Sequence, residues 1–415
     1  MAGGTVKSLF AQALLSDALR DIVRAWHRLK RGGRRTLWYA HQVDDPYSLL
    51  TAQAVRRLAQ AADVDLRVTV LPAPEEAFNP DRQRLRTWAL LDASRLARQY
   101  GLRFPERPSL PSQEAVAVAA GIALTDRPPG EQLGMLAEMG EALFSGGPIH
   151  GVAADDADAL LARNAAELRK ARHYQGGMIF YEGEWFWSVD RLPLLEARLR
   201  EEGLSVPDTL DWSATPLPEP IVDGAELEFF FSFRSPYSYL AVDRTIALAA
   251  RHGIALRIRP VLPMVMRGLS VPLDKRMYLV RDARRLAQVL EIPFGRIADP
   301  LGVGVERCLA VSMIAGERLP QWLSHAGRGI WSQGIDVATD AGLAALAARA
   351  GLDPAAAIAA ANGPEDAWRA MVAENREALL EMGLWGVPSF RMGDLIAWGQ
   401  DRLDLLEVSL AARSA

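Results

Sequence analysis

LEFFFSFRSPYSYLAVDRTIALA, residues 227–249, decides the fold. An apolar run from Leu227 to Phe233 reads as a buried strand, and Ser235-Pro236 then opens a helix, serine as N-cap and proline in the first turn. Downstream, Ile254, Leu256 and Ile258 alternate as a second strand, so the segment is a strand-helix-strand opening. A long stretch rich in Ala, Leu and Arg, from 275 to 383, predicts inserted helices. A Gly-Val-Pro turn then leads into a hairpin of Phe390–Met392 and Leu395–Trp398, and a last helix begins near Asp401. This is the order of an α/β thioredoxin fold interrupted by an all-helical insertion.

The same order occurs earlier in the chain, with a period of about 190 residues. TLWYAHQVDDPYSLLTAQAVRRLA at 36–59 matches the opening stretch, VDLRVTVLP at 64–72 matches IALRIRPVLP at 254–263, and WALLDASRLA at 88–97 matches YLVRDARRLA at 278–287. Pro46, Tyr47, Ser48, Trp88, Asp92 and Arg95 thereby align with Pro236, Tyr237, Ser238, Tyr278, Asp282 and Arg285. Near the ends, GGMIFYEGEWFWSVDRLPLLE at 176–196 matches GVPSFRMGDLIAWGQDRLDLLE at 386–407, apart from one inserted residue. The expectation is two tandem thioredoxin-like domains, each with an all-helical insertion. We place an amphipathic helix at 1–33, a degenerate domain at 34–203, a Pro-rich linker at 204–224 and the domain carrying the active site at 225–415.

Composition narrows the chemistry. A net charge of -4, from 47 basic and 51 acidic side chains, gives no electrostatic reason for a nucleic-acid partner. Cys308 is the one cysteine, so an intrachain disulfide, a CxxC redox pair and a cysteine-based zinc site are excluded by counting. No histidines stand at metal-ligand spacing and no Gly-rich phosphate loop appears, so any thiol chemistry must bring its own thiol. At the N-terminus, Leu9, Phe10, Leu14, Leu15, Leu19, Ile22, Trp26 and Leu29 recur at helical spacing. Charges break this run before it could span a bilayer, and the basic residues follow it, unlike a secretory signal. We expect a helix packed on its own domain, no integral membrane segment and a cytoplasmic location. A membrane-surface or partner-docking helix is the alternative.

SPYSYLA at 235–241, GVPSF at 386–390 and GQDRL at 399–403, in this order, resemble the 2-hydroxychromene-2-carboxylate isomerases and kappa-class glutathione transferases of the DsbA-like thioredoxin superfamily. The resemblance implies glutathione as cofactor and a small aromatic substrate. It puts Ser235 where a thioredoxin-type enzyme carries its reactive cysteine, with Ser238 at the second. Ser235 would then hydrogen-bond a borrowed thiolate at a helix N-terminus, as activator and not as nucleophile. The resemblance makes Pro388 cis and gives the backbone of Val387 to the cysteinyl unit of glutathione, with Gln400 and Asp401 at its γ-glutamyl end. Taken singly, the same residues are an ordinary N-cap, a Val-Pro turn and a helix cap.

One departure is the asparagine that the family carries in the loop after the second strand. RGLSVPLDKRMY at 267–278 has Ser270 or Val271 near that place. Lys275 and Arg276 could face a carboxylate from this loop, though a solvated basic pair is the simpler expectation. Trp385 and Trp398 adjoin the motifs as pocket or core aromatics. In the first copy Asp45 replaces the serine, Met178 stands at the place of Pro388, and a carboxylate would repel a thiolate. The repeat suggests an intrachain pseudo-dimer, or else a homodimer. The leading function is a glutathione-dependent isomerase, with a glutathione transferase or peroxidase and a non-catalytic binding or scaffold protein as rivals.

Overall fold

The computed structural model describes residues 16–30, 32–211, 224 and 226–413. Most of the Pro-rich segment and the first half of the N-terminal amphipathic stretch lie outside them. The chain divides into two compact units: an N-terminal one of Arg20–Ser213 with Pro272–Tyr278, and a C-terminal one of Met1–Leu19, Ala214–Val271 and Leu279–Ala415.

The N-terminal unit holds β1 (Thr36–Gln42), β2 (Asp65–Leu71), β3 (Met178–Tyr181) and β4 (Glu184–Trp187) in the order β2-β1-β3-β4. β1 and β2 are parallel, while β3 runs antiparallel to both β1 and β4. Its helices are α1 (Asp17–Lys30, from Arg20 onward), α2 (Pro46–Ala61), α3 (Arg82–Gln99), α4 (Gln113–Ala123), α5 (Pro129–Ser145), α6 (Ala157–Lys170) and α7 (Leu192–Glu201). The apolar faces of α2, α3 and α7 close on the sheet around Leu37, Tyr39, Leu50, Leu58, Leu96, Ile179 and Phe186. Val206 and Leu210 are buried in the same core, so the chain is still packed there, past the point where composition suggested a linker. Two apolar side chains outweigh the proline content of their neighbourhood.

Helix α1 is held by its charged side. Arg24 pairs with Glu184 at 2.7 Å, and Arg28 with Glu182 at 2.7 Å and Glu202 at 2.8 Å. Arg198 bonds the same carboxylates from beneath. Ile22, Trp26 and Leu29 remain 66, 55 and 80% exposed, so the apolar stripe expected to pack inward does not. Three carboxylates clustered at the β3–β4 turn and α7 attract the arginines, which orients the helix. Lys275 departs from the solvated pair expected for it. Within this unit its ammonium donates to the Phe78 carbonyl, burial pushes its pKa down to about 8, and only Arg276 is exposed.

The C-terminal unit repeats the arrangement with β5 (Leu227–Phe231), β6 (Leu256–Pro260), β7 (Ser389–Met392) and β8 (Leu395–Trp398), in the order β6-β5-β7-β8. β5 is parallel to β6 and antiparallel to β7. α8 (Pro236–His252) follows β5 and ends at Gly253, whose φ of 61° suits a residue without Cβ. Between β6 and β7 lie α9 (Leu273–Val289, in this unit from Leu279 onward), α10 (Val303–Ile314), α11 (Leu319–Arg328), α12 (Asp340–Arg349), α13 (Pro354–Ala361) and α14 (Asp366–Glu381); α15 (Leu403–Arg413) closes the unit. β5 is buried at every residue, the pattern of a strand covered on both faces. Phe229 stacks on Phe390 at 5.3 Å between ring centroids, and Phe231 meets Phe233 edge-on. Glu228 enters this core only because Arg259 and Arg391, on the two neighbouring strands, both bond it.

Candidate active site

Ser235 ends the turn after β5 and caps α8. Its Oγ accepts the Ser238 N–H at 3.1 Å and Pro236 fills the first turn, the local reason the helix begins here. The hydroxyl donates to the carbonyl of Val387 at 3.3 Å. Residues 152 positions apart in the chain thus meet at one hydrogen bond. The Val387-Pro388 peptide is cis. The Pro388 carbonyl in turn accepts the Gly399 N–H at 2.9 Å, which ties this loop to the turn holding Gln400 and Asp401. Ser235, Val387 and Pro388 thereby meet at the N-terminus of α8, and the turn of Gln400 and Asp401 is tied to them through Pro388.

Their side chains are not equally presented. Gln400 is buried, its Oε1 accepting from Arg244 at 2.7 Å and its amide nitrogen donating to Asp401. Asp401 remains partly exposed as the carboxylate of the pair. Trp385 is buried and meets the half-buried Trp398 edge-on at 4.7 Å between centroids. Gly386 lies against that indole, where a Cβ would come within 2.4 Å of Trp398, so the close approach requires glycine. Ser270 is exposed and Val271 half-buried in the loop after β6.

Sequence reading passed over two arginines of this neighbourhood. Arg234, next to Ser235, is held by both oxygens of Asp299 at 2.7 and 2.8 Å. Arg267 donates to the Trp385 carbonyl at 2.7 Å, and its Nε is buried with no hydrogen-bond partner. A lone arginine looks solvated in a sequence, and no signal there marks its Nε as buried.

The equivalent place in the N-terminal unit carries a carboxylate. Asp45 caps α2, its Oδ2 accepting from the N–H and the hydroxyl of Ser48 at 3.0 and 2.7 Å. Burial, ahead of repulsion from Asp44, pushes its pKa up to about 6. Gly176 lies against it, where a Cβ would lie 2.9 Å from that oxygen and 2.8 Å from the Ser48 hydroxyl. The structure also corrects the alignment at Met178. Ser188 N–H bonds the carbonyl of Gly177 at 2.8 Å, as Gly399 does that of Pro388, so Gly177 occupies the proline position and Met178 is the first residue of β3. Gly177 has a φ of 68°, which proline's ring forbids.

Residues 226–411 match the family model of the DSBA-like thioredoxin domain, and this part of the chain has that fold. Curated relatives match a similar share of the chain. One from Sphingobium xenophagum, named 2-hydroxychromene-2-carboxylate isomerase, is 29% identical over 189 residues, 44% of this chain and 95% of the relative. One of the same name from Pseudomonas putida is 28% identical over 199 residues, 44% of this chain and 93% of the relative. The glutathione S-transferase kappa 1 of Rattus norvegicus is 25% identical over 207 residues, 45% of this chain and 91% of the relative. A solved structure of a 2-hydroxychromene-2-carboxylate isomerase aligns with 45% of this chain and 95% of its own, at 26% identity and a TM-score of 0.39.

Proposed function

We propose that the C-terminal unit is a glutathione-dependent isomerase of the 2-hydroxychromene-2-carboxylate isomerase type, acting on a small unsaturated aromatic carbonyl compound. The observation that carries the reading is the Ser235 hydroxyl at the N-terminus of α8, within hydrogen-bond distance of the Val387 carbonyl beside cis Pro388. The residues present fit the tripeptide. A hydroxyl and a helix end favour an anionic sulfur, Val387 offers main chain for a short extended pairing, and Asp401 is a carboxylate suited to an ammonium group.

Bound glutathione supplies a thiolate that adds reversibly to the substrate and is recovered unchanged. The chain's own part is electrostatic. Ser235 donates its proton to Val387 here, and serves a thiolate by turning the same O–H toward sulfur while keeping Ser238 N–H on its lone pair. A free thiol titrates near pKa ~8.5, so such a donor at a helix N-terminus raises the ionised fraction at neutral pH. Val387, Pro388, Gln400 and Asp401 position the tripeptide, and the paired Trp385 and Trp398 offer aromatic surface nearby.

The N-terminal unit we read as a degenerate tandem copy. Both sheets have the same strand order, and Tyr47 donates to Asp92 at 2.8 Å as Tyr237 does to Asp282 at 2.7 Å, pairs that the repeat aligned. Its carboxylate argues against a second glutathione site, and we read this copy as a supporting partner in the intrachain pseudo-dimer that the repeat suggests. The reading includes a cytoplasmic location; among the described residues no helix is long and apolar enough to cross a membrane. The kappa relative favours a second reading, glutathione transfer, in which the thiol is consumed.

Calorimetric titration of glutathione, with thiolate absorbance of the complex followed against pH, tests the proposal. We expect Asp401→Ala to weaken binding about tenfold, the loss of one charge-assisted contact. Ser235→Ala should keep most of the affinity and shift the thiolate transition upward. No binding at millimolar glutathione would favour a non-catalytic scaffold. Product analysis separates isomerase from transferase by whether glutathione is conserved over turnover.

A further inference from the structure

Helix α1 meets its own domain with its charged face. An ordinary surface helix buries its apolar stripe and leaves its charges in water. Here Arg24 and Arg28 turn inward onto Glu182, Glu184 and Glu202, and Arg198, 5% exposed, bonds the same three carboxylates at 2.6 to 3.3 Å. On the flank, Val23 and His27 lie against Gly183, where a Cβ would come within 2.6 Å of the valine, and His27 meets Phe180 edge-on at 5.4 Å between centroids. These contacts fix the rotation of the helix. Ile22, Trp26 and Leu29, spaced i, i+4 and i+7, are left on the outer side together with the exposed Ala25.

The charge around this stripe says what it fits. From Ile22 to Val43 the sequence has six Lys and Arg residues and no Asp or Glu, in a chain whose net charge is -4. The glutamate cluster takes up Arg24 and Arg28 and, at 3.9 Å, Arg35. Lys30 has no ion pair among the described residues, and its ammonium lies 5.0 Å from the centre of the Trp26 ring. Arg34, 78% exposed, reaches Asp65 at 3.4 Å, a surface pair worth little. Asp21, on the same helix, is paired with Arg20 and Arg24 at 3.2 and 3.7 Å. An apolar stripe that includes a tryptophan, with cations beside it, matches the headgroup layer of a membrane containing anionic lipid. A second copy of the chain would bring the same positive excess and no counter-charge. We propose that α1 docks the protein on an anionic membrane surface, lying in the plane of the headgroups with Ile22, Trp26 and Leu29 inserted and Lys30 and Arg34 at the phosphates. The ion pairs of Arg24 and Arg28 are what keep the apolar side outward. Membrane docking goes beyond the glutathione reading and does not depend on it.

Flotation of the full-length chain with vesicles of phosphatidylcholine, with and without about one-third phosphatidylserine, tests this at about 0.1 and 0.5 M NaCl. We expect the chain to float with the anionic vesicles at low salt and to partition roughly tenfold less onto phosphatidylcholine alone or at high salt. Trp26→Ser or Leu29→Ser should weaken partitioning by roughly tenfold or more, the loss of one inserted apolar side chain. Lys30→Gln should weaken it by about fivefold, one cation at the surface. All three residues are exposed, so the variants should melt with the wild type; Ile22→Ser, on the same stripe, replaces any that does not. The proposal is overturned if wild type floats with neither vesicle or equally with both. It is also overturned if the serine variants float as wild type does, since other residues would then make the contact. Sedimentation equilibrium without lipid is the second arm: a dimer that Leu29→Ser dissolves, with no flotation, would assign the face to a second copy and sink the membrane reading.

Discussion

Ser235 and Asp45 cap corresponding helices, and the difference between a hydroxyl and a carboxylate there decides what each position can do. The hydroxyl both accepts from Ser238 and donates to Val387, whereas the Asp45 carboxylate can only accept while ionised. Burial raises the Asp45 pKa from 3.8 to about 6, so the folded N-terminal unit favours its neutral form. The associated stability is fully present below pH 4 and is lost as pH rises through 6. Asp45→Asn keeps a capping oxygen without the charge. It should stabilise this unit by about 2 kcal/mol at pH 8 and have little effect at pH 4. Hydrogen exchange of the N-terminal unit at the two pH values measures this, and an equal change at both would refute the account.

At the scale of elements, β5 is the strand on which the C-terminal unit depends, and Glu228 is its one charged residue. Burial alone would raise its pKa, yet the hydrogen bonds from Arg391 and Arg259 outweigh burial and hold it below the usual carboxylate range. Its stabilisation is therefore present above the unfolded pKa and is lost as pH falls through the folded one. Glu228→Ala leaves Arg259, 7% exposed, without its main partner and should cost about 3 kcal/mol at neutral pH. Urea unfolding checks it, and the deficit should shrink in acid. β5 to β8 and the start of α8 were legible from apolar runs, Ser-Pro and Gly-Val-Pro, all local signals. The docking of α1 was not, because its periodicity marked an apolar face without revealing that Glu182, Glu184 and Glu202 would capture the other.

Over the whole molecule, the single cysteine limits redox chemistry. Cys308 is fully buried, and burial pushes its thiol pKa far up, so it is not a reactive thiolate. Native protein should resist a maleimide reagent over hours and take up one equivalent once unfolded in guanidinium. Rapid native labelling would show that α10 opens readily, and would return Cys308 to consideration as a working thiol.

The sequence by itself determined the strand and helix order of both halves, the Ser235 and Asp45 helix starts and the exclusion of a dithiol mechanism, since propensity, capping and residue counts are carried by neighbours in the chain. Only the tertiary structure decided that Gly177, not Met178, takes the proline position, that Gly176 lies against Asp45, and that Arg267 is half-buried with its Nε unpartnered. Burial and charge pairing depend on residues more than a hundred positions away, and no local pattern encodes which of them arrive.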